Sequence, residues 1–477
     1  MTRAATPLTP SRTARSKPVS RLLVAAMAVV LAVPPLPAQA QKRGGGIPLI
    51  RDAEIEQLMR DYTTPILRAA GLAKANVKVV LINDRSFNAF VVDGRRIFVN
   101  TGALAESTTP NQIIGVMAHE TGHIAGGHLS KLRQELANVQ TAALIGMLLG
   151  AAAMAAAGRS GAGDGAGQAG MAAIMGSQHV ATRSLLSYQR AHEEAADRAA
   201  VKFLAATGQS AKGMYETFKR FADNSMFTAR FADPYAQSHP MPTERMAALT
   251  EIARTSPNWD KKDPPELQAR HDMMRAKLSG FMEQPQTVAR RYPPSDTSLP
   301  ARYARAIATY RHSDIRAALA QIDALIAAQP NNPYFHELKG QALLENGRAA
   351  EAVAPLRRAV ALAPDPTLIK IMLGQALVAT NNPAHAEEAI SILRTGLAQE
   401  PDTPNAYEQL AMAYGRKGDL AQADLASAQA AFAKGDIKTA RELAARAKTR
   451  LPVGSPGWVR ADDIIAAKVP TGPNRQN

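Results

Sequence analysis

Cysteine is absent from this chain of 477 residues, and aromatic residues make up only 5% of it. Without cysteine the chain can form neither disulfides nor thiolate metal sites, so histidine, aspartate and glutamate are the side chains left to hold a metal ion. Acidic residues are also scarce: 41 of them face 56 lysines and arginines, which gives a net charge of +15. Such a basic chain is attracted to anionic surfaces, unless the charge serves solubility alone.

The first 40 residues have the composition of a secretory signal peptide. Five basic residues and no acidic one lead into an apolar stretch over 22–33, and the small-residue site Ala38-Gln39-Ala40 follows. Cleavage after Ala40 leaves a mature chain with a net charge of +10. An uncleaved anchor is disfavoured because the stretch is short for a bilayer span and ends in prolines. Export and the lack of a binding motif argue against nucleic acid as a partner, whereas peripheral contact with anionic lipid stays open.

His119, Glu120 and His123 form an H-E-x-x-H segment within a predicted helix. Side chains four residues apart lie on one helix face, so both imidazoles can converge on one metal ion with the Glu120 carboxylate beside them. This arrangement is typical of zinc hydrolases, in which the glutamate takes a proton from the attacking water. A chance occurrence of the motif is the alternative, so the rest of the chain has to supply a third ligand.

A catalytic zinc usually has three protein ligands and keeps its fourth position for water. The metzincin pattern would require a histidine at position 129, which is Leu129 in this chain. The best remaining candidate is Glu193, with Asp197 one helical turn later. Glu193 can bind the ion while Asp197 accepts a hydrogen bond from a ligand imidazole and orients it. A solvated face of an amphipathic helix is the alternative interpretation of this pair.

The second half of the chain has a different pattern. Over 301–452, glycine, alanine and proline recur at intervals close to the length of a tetratricopeptide repeat, as Gly340 and Gly374 show. An insert around Asn381–Pro383 lengthens one repeat. Small residues at these positions let paired helices approach closely, and stacked repeats form a groove that binds peptides or partner proteins. We predict a linker over 281–300 and a C-terminal tail over 453–477.

The H-E-x-x-H segment followed by E-x-x-A-D resembles the pattern of the CAAX prenyl protease-type zinc metallopeptidases. The matching residues are His119, Glu120, His123, Glu193, Ala196 and Asp197. The resemblance implies one Zn²⁺ per chain. The signal peptide and the repeats make the chain similar to periplasmic members, which implies unfolded or misassembled outer-membrane proteins and the β-barrel assembly machinery as partners. An intramembrane prenyl-protein protease is disfavoured because the chain lacks a set of transmembrane segments.

His239 lies on a stiff loop before Pro240. In the periplasmic proteases that the chain resembles, a histidine in a similar setting can approach the zinc and fill its open position, which implies a switch between a latent and a competent enzyme. A surface-loop histidine that caps the next helix is the alternative. We predict structural roles for His128, His179 and His192.

Residues 41–280 are predicted to form the catalytic domain. Alternating segments over 77–82, 89–92 and 97–100, with a hairpin signal at Asp93-Gly94, predict strands. We expect the last of these strands to be a sheet edge that pairs with an extended substrate backbone. Its residues are Ile97, Phe98, Val99 and Asn100.

Residues 141–176 form an apolar, glycine-interrupted insert between the two candidate ligand helices. A mobile lid over the site, a hairpin that contacts a membrane, and plain disorder are the alternatives that this composition leaves open.

The predicted fold class is mainly α, with an α+β zincin-like metallopeptidase domain followed by an α-solenoid of tetratricopeptide repeats. The leading hypothesis is a periplasmic zinc endopeptidase, associated with outer-membrane protein assembly and quality control, that degrades misassembled β-barrel proteins. The alternative is a tetratricopeptide scaffold or chaperone whose zinc site is latent or structural.

Overall fold

The computed structural model describes residues 48–138, 140–141, 144–145, 165–227 and 234–467. The predicted signal peptide over 1–40 and residues 146–164 of the predicted insert lie outside them. From Leu49 onward the chain forms one compact unit. Within the described residues, no helix is both long enough and apolar enough to cross a membrane.

A four-stranded sheet lies at the start of the unit, built from β1 (Leu49–Ile50), β2 (Lys78–Ile82), β3 (Ala89–Asp93) and β4 (Arg96–Asn100). The strand order is β1-β2-β4-β3, in which β2 and β4 are parallel and the two outer pairs are antiparallel. The hairpin predicted at Asp93-Gly94 is present as the turn from β3 to β4. Two strands are thus joined by a tight turn, as the alternating sequence indicates.

The edge-strand prediction for Ile97, Phe98, Val99 and Asn100 is wrong. These residues belong to β4, which lies between β2 and β3 and pairs with both. These residues are also buried, because β4 is covered on both faces. Ile97 and Val99 are fully buried. Among the described strands, the edge on this side of the sheet is β3.

In the first part of the unit, the described chain contains nine helical segments besides these strands. They are Ala53–Ala69, Thr101–Glu106, Pro110–Ala125, residues 128–138, Gly165–Ala206, Lys212–Phe227, Pro234–Ser238, Thr243–Arg254 and Pro265–Met282. We call Pro110–Ala125 the H-E-x-x-H helix and Gly165–Ala206 the E-x-x-A-D helix. The second of these begins inside the predicted insert, so residues 165–176 are helical although their glycines predicted an irregular chain.

The H-E-x-x-H helix is the central element of this part. It begins at Pro110 after the N-cap residue Thr109, and nearly all its side chains are buried because helices or strands pack around it. A Cβ atom at Gly115 would lie 2.6 Å from Cβ of Met214, so glycine is what allows the helix Lys212–Phe227 to pack so closely. This packing fixes the rotation of the H-E-x-x-H helix and hence the direction of its histidines.

Paired helices form the second part. They are Leu299–His312, Ile315–Ala328, Pro333–Glu345, Ala349–Leu362, Thr367–Ala379, Ala386–Gln399, Pro404–Lys417, Leu420–Ala433, Ile437–Lys448 and Pro456–Ala466. A Cβ atom at Gly340 would lie 2.4 Å from Leu356, and one at Gly374 would lie 2.4 Å from Leu393. The glycines that marked the repeats in the sequence are therefore the points of closest helix approach, as tetratricopeptide packing requires.

Three stretches near the repeats differ in detail from expectation. The insert around Asn381 is a 3-10 turn, Pro383–His385. The predicted linker over 281–300 contains the helix Pro285–Arg291, whose Val288 is fully buried. The predicted tail supplies the helix Pro456–Ala466, which packs on the last repeat helices through Ala461 and Ile464. The linker helix and the tail helix are packed because their apolar side chains complete the ends of the helical stack.

Charged side chains join the two parts. The Lys277 ammonium, almost fully buried, lies 2.8 Å from the Asp52 carboxylate and 3.2 Å from that of Glu54. The hydroxyl of Tyr303, on the first repeat helix, donates to Glu54 across 3.0 Å. Buried ionic groups of this kind must all be paired, so the network fixes how the repeats contact the first part.

Candidate metal centre

His119, His123, Glu193 and His239 each bring one ligand atom to a common point, and these atoms lie within 4.8 Å of one another. The Nε2 atoms of His119 and His123 are 3.0 Å apart, and each lies 3.4 Å from an oxygen of Glu193. A tetrahedral zinc with bonds near 2.05 Å separates its ligand atoms by about 3.3 Å. Two imidazoles and a carboxylate at these separations fit such an ion.

The two ligand helices cross at their smallest residues. A Cβ atom at Gly122 would lie 2.8 Å from the carbonyl oxygen of Ala196 and 3.0 Å from its Cα. Glycine and alanine therefore let the helices approach closely enough for Glu193 to reach the two histidines. The fourth position of each motif thus has a packing role, which explains why small residues stand there.

Behind His119, a buried ion pair orients the ring. The Oδ1 atom of Asp197 lies 2.9 Å from Nδ1 of His119. The Arg245 guanidinium binds both oxygens of Asp197, at 2.7 and 2.8 Å, and also lies 2.8 Å from Glu193. Burial by itself raises the pKa of Asp197, but Arg245 outweighs that effect and the pKa is lowered. Asp197 therefore stays ionised and can accept a hydrogen bond from a ligand histidine.

Glu120 lies beside the cluster with its carboxyl group buried. Burial raises its pKa, which favours a carboxyl group able to take up and release a proton. Its Oε1 atom has no hydrogen-bond partner among the described residues and lies 3.4 Å from the equally unpartnered Nε2 of His239. Unsatisfied buried polar atoms that converge on one point are typical of a site for a ligand.

His239 supplies the fourth group. It follows the short helix Pro234–Ser238, its N–H donates to the carbonyl of Tyr235, and the ring packs on the Tyr235 ring at 4.7 Å between centroids. Its Nδ1 lies 3.1 Å from Glu193 and 3.3 Å from Nε2 of His119. The residue predicted from its proline-flanked loop is thus brought to the fourth corner of the tetrahedron.

An open cleft of about 330 Å³ leads to the cluster and runs along β3. Asn100 N–H donates to the Asn88 carbonyl, so the alternation of an antiparallel ladder turns the N–H and C=O groups of Ala89 and Val91 away from β4. The irregular register after Val91 ends the regular pairing, and the Arg133 guanidinium binds the Val92 carbonyl at 3.3 Å. Ala89 is fully buried, so the backbone edge that the cleft offers beside the metal-binding groups is at Val91.

Two residues of the site were missed from the sequence. Arg245 gave no signal, since one arginine on an amphipathic helix looks like a solvated side chain. His128 was predicted as structural, but its Nδ1 lies 3.1 Å from Nδ1 of His123, and burial lowers its pKa to about 4. Gly127, with φ of 61°, ends the H-E-x-x-H helix and turns the chain back, so helical spacing could not predict this contact.

His192 lies farther from the cluster than His128. The ring of His192 packs against that of His128, with 4.2 Å between centroids. The side chain of His179 lies outside the described residues.

Known proteins support the same division of the chain. Residues 50–253, which include every residue of the cluster, match peptidase family M48, and residues 303–366 and 343–406 match tetratricopeptide repeats. The chain is 24% identical over 425 residues to the beta-barrel assembly-enhancing protease of Yersinia pestis, covering 88% of this chain and 84% of that protein. It is 25% identical over 430 residues to the protein of the same name from Escherichia coli K12, with the same coverage.

A crystal structure of MamA aligns with 34% of this chain and 90% of its own, at 19% identity and a TM-score of 0.27. The family match, the ligand geometry and the repeat packing agree with one another. The chain carries a metallopeptidase domain of family M48 followed by tetratricopeptide repeats.

Proposed function

We propose that the chain is a zinc-dependent endopeptidase that binds its metal through His119, His123 and Glu193. The observation that carries the proposal is the spacing of these three groups, 3.0 to 3.4 Å between ligand atoms, with Glu120 buried beside them. When bound, zinc supplies a Lewis acid for the scissile carbonyl and lowers the pKa of a water molecule.

The protein side of the reaction belongs to Glu120 and the pair behind His119. Glu120 accepts a proton from the attacking water at its carboxylate and passes it to the leaving nitrogen, and its raised pKa suits both transfers. Asp197 and Arg245 hold the His119 ring in one orientation. Each group acts from a buried position, so its geometry is set before substrate arrives.

His239 is a candidate for control of this activity. Its ring stands within 3.4 Å of Glu120 and 3.3 Å of His119, where a water molecule or a substrate carbonyl would have to lie. A resting enzyme with His239 at the fourth corner is latent, and it becomes competent when the loop after Pro234–Ser238 moves. The moving part would be the loop from His239 to Pro242, because Tyr235 of the short helix is fully buried in the core. Its release would break the contact of Arg245 with the Pro240 carbonyl at 2.9 Å.

Substrate binding is assigned to β3 in place of β4. The outward N–H and C=O groups of Val91 can pair with an extended chain beside Glu120. Pairing of this kind reads the backbone of an unfolded segment and is largely independent of sequence. The tetratricopeptide repeats then offer a second contact for protein partners.

The biological setting follows the named relatives. Proteins called beta-barrel assembly-enhancing protease match 88% of this chain. We infer that the chain acts in the periplasm on unfolded or misassembled outer-membrane proteins and contacts the β-barrel assembly machinery through its repeats. The predicted signal peptide supports export to that compartment.

Metal content and proteolysis of the purified mature protein test the proposal together. We expect one zinc per chain in the wild type, its loss in Glu193→Gln, and its retention in Glu120→Gln with casein cleavage reduced by about 10²-fold or more. Glu194→Gln is the matched control, because Glu194 lies on the same helix and its side chain, 42% exposed, pairs with Arg198 at 3.5 Å. A folded wild type without zinc would refute the proposal. Normal outer-membrane assembly in cells that carry Glu120→Gln would favour the scaffold hypothesis instead.

A further inference from the structure

The two histidines of the H-E-x-x-H segment have different partners on the ring atom that faces away from the cluster. Nδ1 of His119 faces the carboxylate of Asp197 at 2.9 Å. Nδ1 of His123 faces another imidazole, that of His128, at 3.1 Å. A metal-ligating histidine usually donates this N–H to a fixed acceptor, which sets its tautomer and the direction of its ring. Nδ1–H of His123 therefore requires a hydrogen-bond acceptor, and His128 is the group that lies next to it.

We propose that His128 is a positioning residue that accepts a hydrogen bond from Nδ1–H of His123 and so holds Nε2 of His123 toward the metal. The inference rests on the proposed zinc function. It assigns His128 the tautomer with its proton on Nε2, because its Nδ1 must offer a lone pair. His128 itself touches neither substrate nor metal.

The local fold is built to hold this ring. Gly127 adopts φ of 61° and turns the chain between the H-E-x-x-H helix and the next helical segment, which brings His128 back over the ring of His123. A Cβ atom at Gly126 would lie 2.1 Å from Nε2 of His128, so glycine is needed where the ring passes. The ring is 7% exposed, and the His192 ring packs against it at 4.2 Å. His128 is thus confined from three sides with its Nδ1 directed at a ligand.

A carboxylate and an imidazole are not equivalent partners. Asp197 carries a charge that Arg245 already balances, whereas His128 is neutral when it accepts. A neutral acceptor fixes the direction of His123 without adding negative charge to a site that already contains Glu193 and Glu120. His128 therefore orients the second histidine while leaving the charge of the metal site unchanged.

Zinc affinity measured by competition with a chelator tests the role without relying on proteolysis. We expect His128→Phe, which keeps an aromatic ring but has no acceptor, to weaken zinc binding by about 10- to 100-fold. His128→Asn places an amide oxygen near the position of Nδ1, so it should keep affinity within a few-fold of the wild type. His192→Phe is the matched control and should bind zinc as the wild type does.

A second variant displaces the ring without removing it. Gly126→Ala should weaken zinc binding in the wild type, since its methyl group collides with Nε2 of His128. In the His128→Asn background, whose shorter side chain ends before that point, the same change should cost nothing. This cycle keeps the test decisive even if His128→Phe does not fold.

Unchanged zinc affinity in His128→Phe, or an equal loss in His128→Asn and in His192→Phe, would overturn the positioning role. The last pattern would mean that any change in the His128–His192 pair weakens the site, whether or not an acceptor for His123 is kept. A wild-type protein that binds no zinc refutes the proposed function, whereas a zinc-binding wild type with an indifferent His128→Phe refutes this inference alone.

Discussion

Replacing Arg245 by methionine should destabilise the metal-free protein strongly. The guanidinium is 3% exposed, binds both oxygens of Asp197 and contacts Glu193, so it balances two buried carboxylates at once. Methionine fills a similar volume but leaves both carboxylates without their cation. The fold then loses the ion pair and retains the cost of burying its acidic half.

The expected magnitude follows from this imbalance. Removing one member of a buried ion pair typically costs about 3–5 kcal/mol. For a domain of about 200 residues, each kcal/mol lowers the melting temperature by about 2–4 °C, so the midpoint should fall by roughly 6–20 °C. Added zinc should restore part of this loss, because a cation at the cluster compensates Glu193. It should not restore all of it, since Asp197 still lacks the Arg245 guanidinium behind His119.

Calorimetric unfolding in chelator and in zinc, for the wild type and the variant, measures both effects. Arg198→Met is the matched control: Arg198 lies on the E-x-x-A-D helix and pairs with Glu194 at 3.5 Å, with 59% of its side chain exposed. An exposed pair of this kind contributes at most about 1 kcal/mol, so this control should barely move. An Arg245→Met protein that melts in chelator within about 2 °C of the wild type would show that Asp197 and Glu193 do not depend on Arg245.

Two further predictions concern the cleft. His239→Ala should keep zinc, because three donors remain. It should raise basal casein cleavage about tenfold if the closed form is favoured by about 1.4 kcal/mol. Adding Glu120→Gln should abolish the gain, and unchanged cleavage by His239→Ala would refute the switch. Val91→Pro deletes one backbone N–H that faces outward from β3, so cleavage of unfolded casein should fall about fivefold with zinc retained. Val91→Ala keeps that N–H and is the control, and full activity of Val91→Pro would exclude β3 as the pairing edge.

Local patterns in the sequence carried much of the architecture. The H-E-x-x-H spacing predicted that His119 and His123 share one helix face, and both do, because a helix repeats its faces every three to four residues whatever surrounds it. The glycines of the repeats were equally predictive, since Gly340 and Gly374 stand where a methyl group would collide with a leucine. Each of these features depends on residues close together in the chain.

The sheet edge was not predictable in this way. β3 and β4 both read as alternating strands, and the hairpin between them was found from Asp93-Gly94. Which of them is the edge depends on the parallel pairing of β4 with β2, a contact between separate segments that no local pattern encodes. For this reason the sequence pattern predicted that the inner strand, β4, pairs with substrate.

Motif spacing and repeat glycines act within one helix or one helix pair, so the type of fold and the candidate ligands could be predicted from the residues alone. How those ligands are held depends on tertiary contacts. Arg245 reaches Asp197 from a helix 48 residues later, and His128 reaches His123 because a left-handed glycine breaks helical spacing. His239 likewise reaches Glu193 from a loop in a separate part of the chain. Contacts of this kind arise from the packing of separate segments, and that packing is decided by the whole core and not by any one stretch of the chain.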